Sequence, residues 1–171
     1  MNRQFALASV QEAFLYNHPG DASGHSEQEL ADVLLSGWAV EILEENREGW
    51  LRVRTFYGYE GWVFAKSFQR ISAEELERRQ GKAVFRSIGA KAADILNAPK
   101  VQGVLRETVL QDSVVELLAP DDSSSWARVR TASGAEGWVF GAALRERKDD
   151  DRFLLTNDPG SFHRSEERRV G

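Results

Sequence analysis

Residues 50–64 read WLRVRTFYGYEGWVF, and residues 126–140 read WARVRTASGAEGWVF. Eleven of the fifteen aligned positions are identical, at a constant offset of 76 residues. A repeat of this quality indicates one structural unit that occurs twice in the chain. Each segment combines a run of alternating apolar and polar residues with a short turn that contains glycine, and this pattern is typical of a β-hairpin.

The sequence upstream of each hairpin repeats as well. Three further segments recur in the same order in both halves: VEIL at 40–43 and VELL at 115–118, LADVLL at 30–35 and LRETVL at 105–110, and LYNHP at 15–19 and ILNAP at 95–99. Short apolar strands separated by regular turn signals predict a small antiparallel barrel in each half. Because domains of this size have marginal cores, we expect the two halves to pack against each other.

Two segments carry the capping-box signature of a helix start, in which a serine is followed three residues later by a glutamate. The box at 72–75 predicts a helix over residues 74–80 that ends at Gly81. The box at 26–29 predicts a short helix that passes into a strand before residue 35, although the matching segment of the second half is more typical of a strand.

The fold class that follows is mainly all-β, with two small SH3-like antiparallel barrels in tandem and a short linker helix. The predicted divisions are a first domain at 1–71, the linker helix at 72–82, a second domain at 83–147 and a tail at 148–171.

Composition argues against several classes of function. The net charge of −5 argues against a nucleic-acid-binding surface, which would be basic, and against a polybasic membrane anchor. There is no apolar run of about 18 residues, which a transmembrane helix would need. The apolar start of the chain is interrupted by Gln4, Gln11 and Glu12, so no secretory signal is predicted and the expected location is the cytoplasm.

No metal site, cofactor site or cysteine nucleophile is expected. The chain contains no cysteine, which removes thiolate ligands and a catalytic thiol. The three histidines show no spacing typical of metal ligands: His18, His25 and His163.

The repeated motif resembles the bacterial SH3 domain. It consists of a strand that ends W-x-x-V, a turn with glycine, and E-G-W-V, and the resemblance covers roughly residues 5–71 and 83–145. The motif residues are Trp50, Val53, Gly58, Gly61 and Trp62 in the first half and Trp126, Val129, Gly134, Gly137 and Trp138 in the second. We interpret the shared tryptophans as structural, with stacking on a glycan or peptide as the alternative. The hairpin glycines are predicted at positive φ, and the glycines of E-G-W-V are predicted to leave room for a bulky neighbour.

The long first loop, with Pro19 and Pro99 ahead of it, is similar to a narrower group. This group is the tandem SH3 region that precedes NlpC-type papain-like cysteine peptidases, which cleave the γ-D-glutamyl–diamino acid bond in murein-peptide recycling. Their D-C-S-G context is absent here, so this chain is not expected to be an enzyme. The resemblance implies the non-catalytic substrate-recognition and positioning region of a truncated cell-wall peptide endopeptidase.

The implied partners are the peptidase domain of the same protein and murein peptides or peptidoglycan. The alternative is a stand-alone tandem module that binds peptidoglycan. A eukaryotic-type SH3 domain that binds proline-rich ligands is disfavoured, because its paired aromatic residues and acidic loop are not recognisable.

The tail carries a separate expectation. Residues 149–162 (DDDRFLLTNDPGSF) are polar and rich in turn residues, as in a linker between domains. The last eight residues, RSEERRVG, resemble the in-frame translation of a common sequencing adapter, which predicts that they are a sequencing artefact and that the natural sequence stops near His163. A solvated charged tail is the alternative.

The hairpin tip of the first half is the candidate binding site. It carries Phe56, Tyr57 and Tyr59, where the second half has alanine, serine and alanine, and loop tips carry function more often than scaffolds do. In the resembled peptidases the first SH3 copy provides a tyrosine and a carboxylate that bind the free amine of an N-terminal L-Ala. Tyr59 occupies the matching G-Y-x-G-W-V position, with packing on another domain as the alternative.

The carboxylate of the resembled site has no direct match. Its position falls near Trp38, which occurs in the first half only. Glu41 and Glu60 are the candidates to replace it. The repeated arginines of the hairpin strands are predicted to form surface ion pairs with Glu60 or Glu136, each worth about 0.2–1 kcal/mol, with recognition of a wall-peptide carboxylate as the alternative. These arginines are Arg52, Arg54, Arg128 and Arg130.

Overall fold

The computed structural model describes residues 3–80, 84–119 and 125–147. Within them the chain forms two seven-stranded antiparallel sheets and one α-helix, which confirms the mainly all-β fold class. The predicted end of the linker helix at Gly81 and the tail at 148–171 lie outside the described residues.

The two sheets have the same topology. The first has the strand order β3-β2-β6-β5-β4-β1-β7, and the second has the order β10-β9-β13-β12-β11-β8-β14. The strands of the first sheet are β1 (Gln4–Ala8), β2 (Glu12–Tyr16), β3 (Leu30–Leu35), β4 (Ala39–Glu45), β5 (Trp50–Arg54), β6 (Glu60–Phe64) and β7 (Phe68–Ile71). The strands of the second sheet are β8 (Phe85–Ile88), β9 (Ala92–Leu96), β10 (Leu105–Leu110), β11 (Val114–Leu117), β12 (Trp126–Arg130), β13 (Glu136–Phe140) and β14 (Leu144–Glu146).

One of the two predicted helices is present. Helix α1 (Ala73–Arg79) begins after Ser72, whose hydroxyl accepts a hydrogen bond from the backbone N–H of Glu75 at 3.0 Å, as the capping box predicts. The other predicted helix is wrong. The Ser26 hydroxyl accepts from the backbone N–H of Gln28 instead, at 3.1 Å, so the serine supports a local turn. Strand β3 begins only at Leu30 and continues to Leu35, because these residues pair with β2.

Each sheet encloses its own small core. Four fully buried aliphatic side chains define the centre of the first core, and four matching ones define the second: Leu15, Leu34, Val53 and Val63, then Ile95, Val109, Val129 and Val139. On the hairpin strand β12, Ala127 and Val129 are buried while Trp126, Arg128 and Arg130 are not, which confirms the predicted alternation of buried and outward-facing residues.

The repeated glycines have the roles expected from the sequence. Gly58 and Gly134 have φ angles of +89° and +93° at the hairpin turns. A Cβ atom on Gly61 would lie 2.8 Å from the backbone oxygen of Tyr16, and one on Gly137 would lie 2.5 Å from that of Leu96. Only glycine therefore allows β6 to lie this close to β2, and β13 this close to β9, where the strands pair.

A third core lies between the two halves, as the marginal size of each domain predicts. It contains Phe5 and Leu7 on the outer face of β1, Leu76 of α1, and Ala132 at the hairpin tip of the second half. The linker helix and the second sheet therefore cover an apolar face of the first sheet that its own core does not use.

The same turn of each half meets its counterpart beside this core. The backbone N–H of Val114 donates to the backbone oxygen of Ser36 at 2.9 Å. The indole Nε1 of Trp38 donates to the backbone oxygen of Asp112, also at 2.9 Å. Gly37 lies between these contacts at a φ of +89°, and a Cβ atom there would be 2.4 Å from the backbone oxygen of Val114.

Two glycine-to-alanine variants separate backbone strain from contact between the halves. Gly134→Ala adds a side chain at positive φ with nothing within 4 Å, so it should lower the free energy of unfolding by about 1–2 kcal/mol. Gly37→Ala has similar backbone strain and also collides with Val114, so its loss should be clearly larger. Urea unfolding of both variants measures the two losses of unfolding free energy. Equal losses would contradict the close contact between Gly37 and Val114.

Candidate functional site

The hairpin between β5 and β6 is held rigidly at its base. The backbone N–H of Thr55 donates to the backbone oxygen of Tyr59 at 2.9 Å, and the N–H of Gly58 donates to the oxygen of Thr55 at 3.0 Å. The buried Thr55 hydroxyl also accepts from the N–H of Tyr59 at 3.1 Å. The tip therefore projects its side chains from a fixed turn rather than from a loose loop.

Four of the six candidate residues lie in one aromatic row. The ring of Trp38 meets Phe56 edge-on with centroids 5.5 Å apart, Phe56 meets Tyr57 at 5.0 Å, and Tyr57 lies 6.3 Å from Tyr59. The first two contacts are edge-to-face, an arrangement that aromatic pairs prefer, and the third is tilted. We call Trp38, Phe56, Tyr57 and Tyr59 the aromatic row.

Both tyrosine hydroxyls of the row have partners that the sequence did not single out. The Tyr57 hydroxyl donates to the carboxylate of Asp32 on β3, and the Tyr59 hydroxyl donates to the side-chain oxygen of Asn17. Tyr57 is only 5% exposed, so its oxygen is largely covered, whereas the bond between Tyr59 and Asn17 lies at the surface. Two sequence signals point to these partners: Asp32 is the one charged residue of the LADVLL strand, and Asn17 lies in a repeated segment.

The second half shows which of these bonds belongs to the scaffold. There the hydroxyl of Ser133, which aligns with Tyr57, donates to the carboxylate of Glu107 on β10 at 2.6 Å. A link from the hairpin hydroxyl to a carboxylate on the third strand is thus common to both halves. Tyr59 aligns with Ala135, which has no hydroxyl, so the bond between Tyr59 and Asn17 is particular to the first half.

The two glutamate candidates lie in ion pairs rather than in the aromatic row. Glu41 is 7% exposed and accepts from Arg3 at 2.9 Å and from Arg54 at 3.2 Å. Glu60 accepts from Arg52 at 2.6 Å and from Arg54 at 3.0 Å, and these two arginines lower the pKa of its carboxyl group. Asp32 is the carboxylate that the described structure brings against the row.

The predicted arginine pairs are confirmed in both halves. Arg128 and Arg130 each contact Glu136 at 3.0 Å, in the same pattern as Arg52 and Arg54 around Glu60. Arg130 also reaches the buried Glu116, which takes a second arginine, Arg78 of α1, at 2.9 Å. The hydrogen bond from Arg78 is the main cause that lowers the pKa of Glu116.

The structural interpretation of the shared tryptophans fits Trp50 best. It is fully buried, and its indole Nε1 donates to the backbone oxygen of Asp21 at 2.7 Å. It therefore fixes the long first loop to the sheet. Trp126 stacks on Phe140 with centroids 4.2 Å apart, while Trp62 and Trp138 are partly buried.

Two general features complete the description of residues 3–80, 84–119 and 125–147. In these ranges no helix has the length and apolar character needed to span a membrane. Nor do three or more histidine, aspartate or glutamate side chains gather there in a way that could hold a metal ion. His18 and His25 are exposed on the first loop.

The ion pairs predict a loss of stability in acid. The folded-state pKa values of Glu60, Glu75 and Glu116 lie below their ordinary values, so these groups stabilise the fold above about pH 4–5. That contribution disappears as the pH falls through the folded-state pKa values. Glu116→Gln should cost about 1 kcal/mol at pH 7, because Arg78 and Arg130 are partly exposed and keep Glu75 and Glu136 as partners, and it should weaken the acid dependence.

The control for this experiment is Glu29→Gln, which changes an exposed glutamate of the first loop. Thermal unfolding between pH 3 and pH 8 measures all three proteins. An acid dependence that is the same in Glu116→Gln as in the unchanged protein would contradict the assignment.

Comparison with known proteins agrees with this architecture. Residues 23–69 match the family model of the bacterial SH3 domain. This match lies within the first half, so a second bacterial SH3 domain stays a prediction, although the two sheets share one strand order.

Two longer proteins are similar to most of the chain. "Dipeptidyl-peptidase 6" of Lysinibacillus sphaericus is 32% identical over 139 residues, which cover 78% of this chain and 48% of that protein. The crystal structure of an NlpC/P60 family protein from Bacillus cereus ATCC 10987 is similar with a TM-score of 0.63 at 16% identity, over 84% of this chain and 56% of the other. At this identity the structural likeness shows the fold. The chain is thus similar to the bacterial SH3 domain over residues 23–69 and spans about half the length of the relatives that it matches.

Proposed function

We propose that this chain is the substrate-recognition and positioning region of a cell-wall peptide endopeptidase whose catalytic domain is a further part of a longer protein. The similarity to about half of a dipeptidyl-peptidase supports the proposal that recognition and catalysis belong to different domains. The observation that carries the proposal is Tyr59, which presents its hydroxyl at the surface of the first half on a scaffold that both halves share.

The proposed ligand group is the free amine of an N-terminal L-Ala in a murein peptide. A phenol oxygen accepts hydrogen bonds from an ammonium group, and a nearby carboxylate strengthens such a contact. Asp32 is the carboxylate beside the row, through its bond with Tyr57. Glu41 and Glu60 remain proposed contributors only at longer range, because both accept hydrogen bonds from arginines.

The rigid base of the hairpin supports a recognition role. Binding loses less conformational entropy when the recognising group is already held in place. The turn around Thr55 and the edge-to-face contact of Phe56 with Tyr57 provide such a support. The contact of Trp38 with Asp112 also connects the row to the second half, which gives that half a positioning role in the proposal.

The test is the binding of L-Ala-γ-D-Glu by this chain, followed by NMR chemical shifts of the tyrosine rings. Tyr59→Phe removes one hydrogen bond to a charged group, so the affinity should fall by about tenfold. Tyr16→Phe is the matched control, since it removes a hydroxyl from a ring that packs on Trp50, away from the row.

Acetylation of the peptide's amine should weaken its binding to the unchanged protein and make no difference in Tyr59→Phe. If Tyr59→Phe and Tyr16→Phe bind the peptide equally well, Tyr59 is not part of the site. In the longer protein, Tyr59→Phe should raise KM for peptides that begin with L-Ala.

The second candidate function is a stand-alone module that binds peptidoglycan, and the repeated sheet topology favours it. Two weak sites joined in one chain gain avidity through their effective concentration. The intact chain should then sediment with purified peptidoglycan. Absence from the pellet would exclude this candidate.

A further inference from the structure

Asn17 determines which hydrogen bonds are left for Tyr59 to make. A phenol has one proton to donate, and the Tyr59 hydroxyl donates it to the side-chain oxygen of Asn17. The remaining capacity of the oxygen is two lone pairs, so any further partner must be a donor. A group that offers only acceptors, such as a carboxylate, finds no proton at this oxygen.

The matching asparagine of the second half has another task. Asn97 closes its loop, because its side-chain oxygen accepts from the backbone N–H of Val104 at 2.8 Å while its own N–H donates to the Val104 oxygen at 2.9 Å. The first loop is longer, spanning residues 17–29, and is anchored instead through Asp21, whose backbone oxygen accepts from Trp50. The asparagine oxygen that closes a loop in one half is thus directed to a tyrosine in the other.

We propose that Asn17 is a positioning residue that fixes the direction of the Tyr59 hydroxyl and thereby makes the hairpin tip select hydrogen-bond donors over acceptors. The ligand class, a primary ammonium group, rests on the proposed function. The direction of the hydroxyl rests on the contact with Asn17 and does not depend on the ligand.

Three variants test the direction of this bond. Asn17→Asp keeps the shape and can only accept, so the Tyr59 hydroxyl must still donate to it. The added charge should strengthen binding of L-Ala-γ-D-Glu by about two- to fivefold. Asn17→Leu removes the acceptor and frees the hydroxyl to rotate, so the preference for the free amine over its acetylated form should fall by several-fold. Asn97→Asp adds the same charge at the matching position of the second half and should leave both quantities unchanged.

A spectroscopic measurement reads the hydroxyl without any ligand. The infrared C–O stretching band of the tyrosine ring distinguishes a hydroxyl that donates from one that only accepts, and the Tyr59→Phe difference spectrum assigns the band. This band should show a donating hydroxyl in the unchanged protein and in Asn17→Asp, and should shift in Asn17→Leu.

Two outcomes would overturn the inference. One is a Tyr59 band that is the same in Asn17→Leu as in the unchanged protein. The other is a loss of peptide binding in Asn17→Asp as large as that in Tyr59→Phe, which would mean that the asparagine donates to the tyrosine. Failure of the unchanged protein to bind the peptide would instead overturn the proposed function and the selectivity that rests on it, while the infrared band would still decide the direction of the hydroxyl.

Discussion

The backbone contact between Ser36 and Val114 is the constraint on which the arrangement of the two halves depends. It requires Gly37, because any Cβ atom there would collide with the Val114 oxygen. Domains of about 70 residues bury too little surface to be robust alone, and the third core exists only when the halves are brought together. The close approach of two equivalent turns therefore provides both the orientation of the halves and a share of the stability of each.

This packing explains one of the four differences between the two repeated hairpins. Ala132 is buried in the core between the halves, and a phenylalanine there would overfill a well-packed space, whereas Phe56 is only partly buried. Tyr57 and Ser133 differ in size but make the same kind of bond to a carboxylate. Tyr59 packs at the edge of the first core and also bonds to Asn17, whereas Ala135 has no hydroxyl for such a bond. Comparison of the two halves therefore identifies the bond between the Tyr59 hydroxyl and Asn17 as particular to the first half.

The sequence predicts what depends on local chemistry. The strands, the positive φ of the hairpin glycines and the cap of α1 follow from patterns within a few residues. The capping box at Ser26 was misleading because a serine hydroxyl satisfies a nearby N–H equally well in a turn. Asp32 and Asn17 could not be assigned to the tyrosines in advance, because these contacts join residues 25 and 42 positions apart. Only the register of β2 and β3 against the hairpin brings them together.

The ion pairs of the two buried glutamates could not be predicted from the sequence either. Glu41 pairs with Arg3, which also lies over the ring of Phe5, and Glu116 pairs with Arg78, which lies over Phe85. The two arginines come from different places, one ahead of β1 and the other in α1, yet they reach the same position in each sheet. A buried carboxylate at this position requires a positively charged partner, and a different segment supplies the arginine in each half. Moving Glu41 toward a ligand would break its ion pairs with Arg3 and Arg54 and so cost free energy. We therefore infer that Asp32, rather than Glu41, supplies the negative charge at the aromatic row.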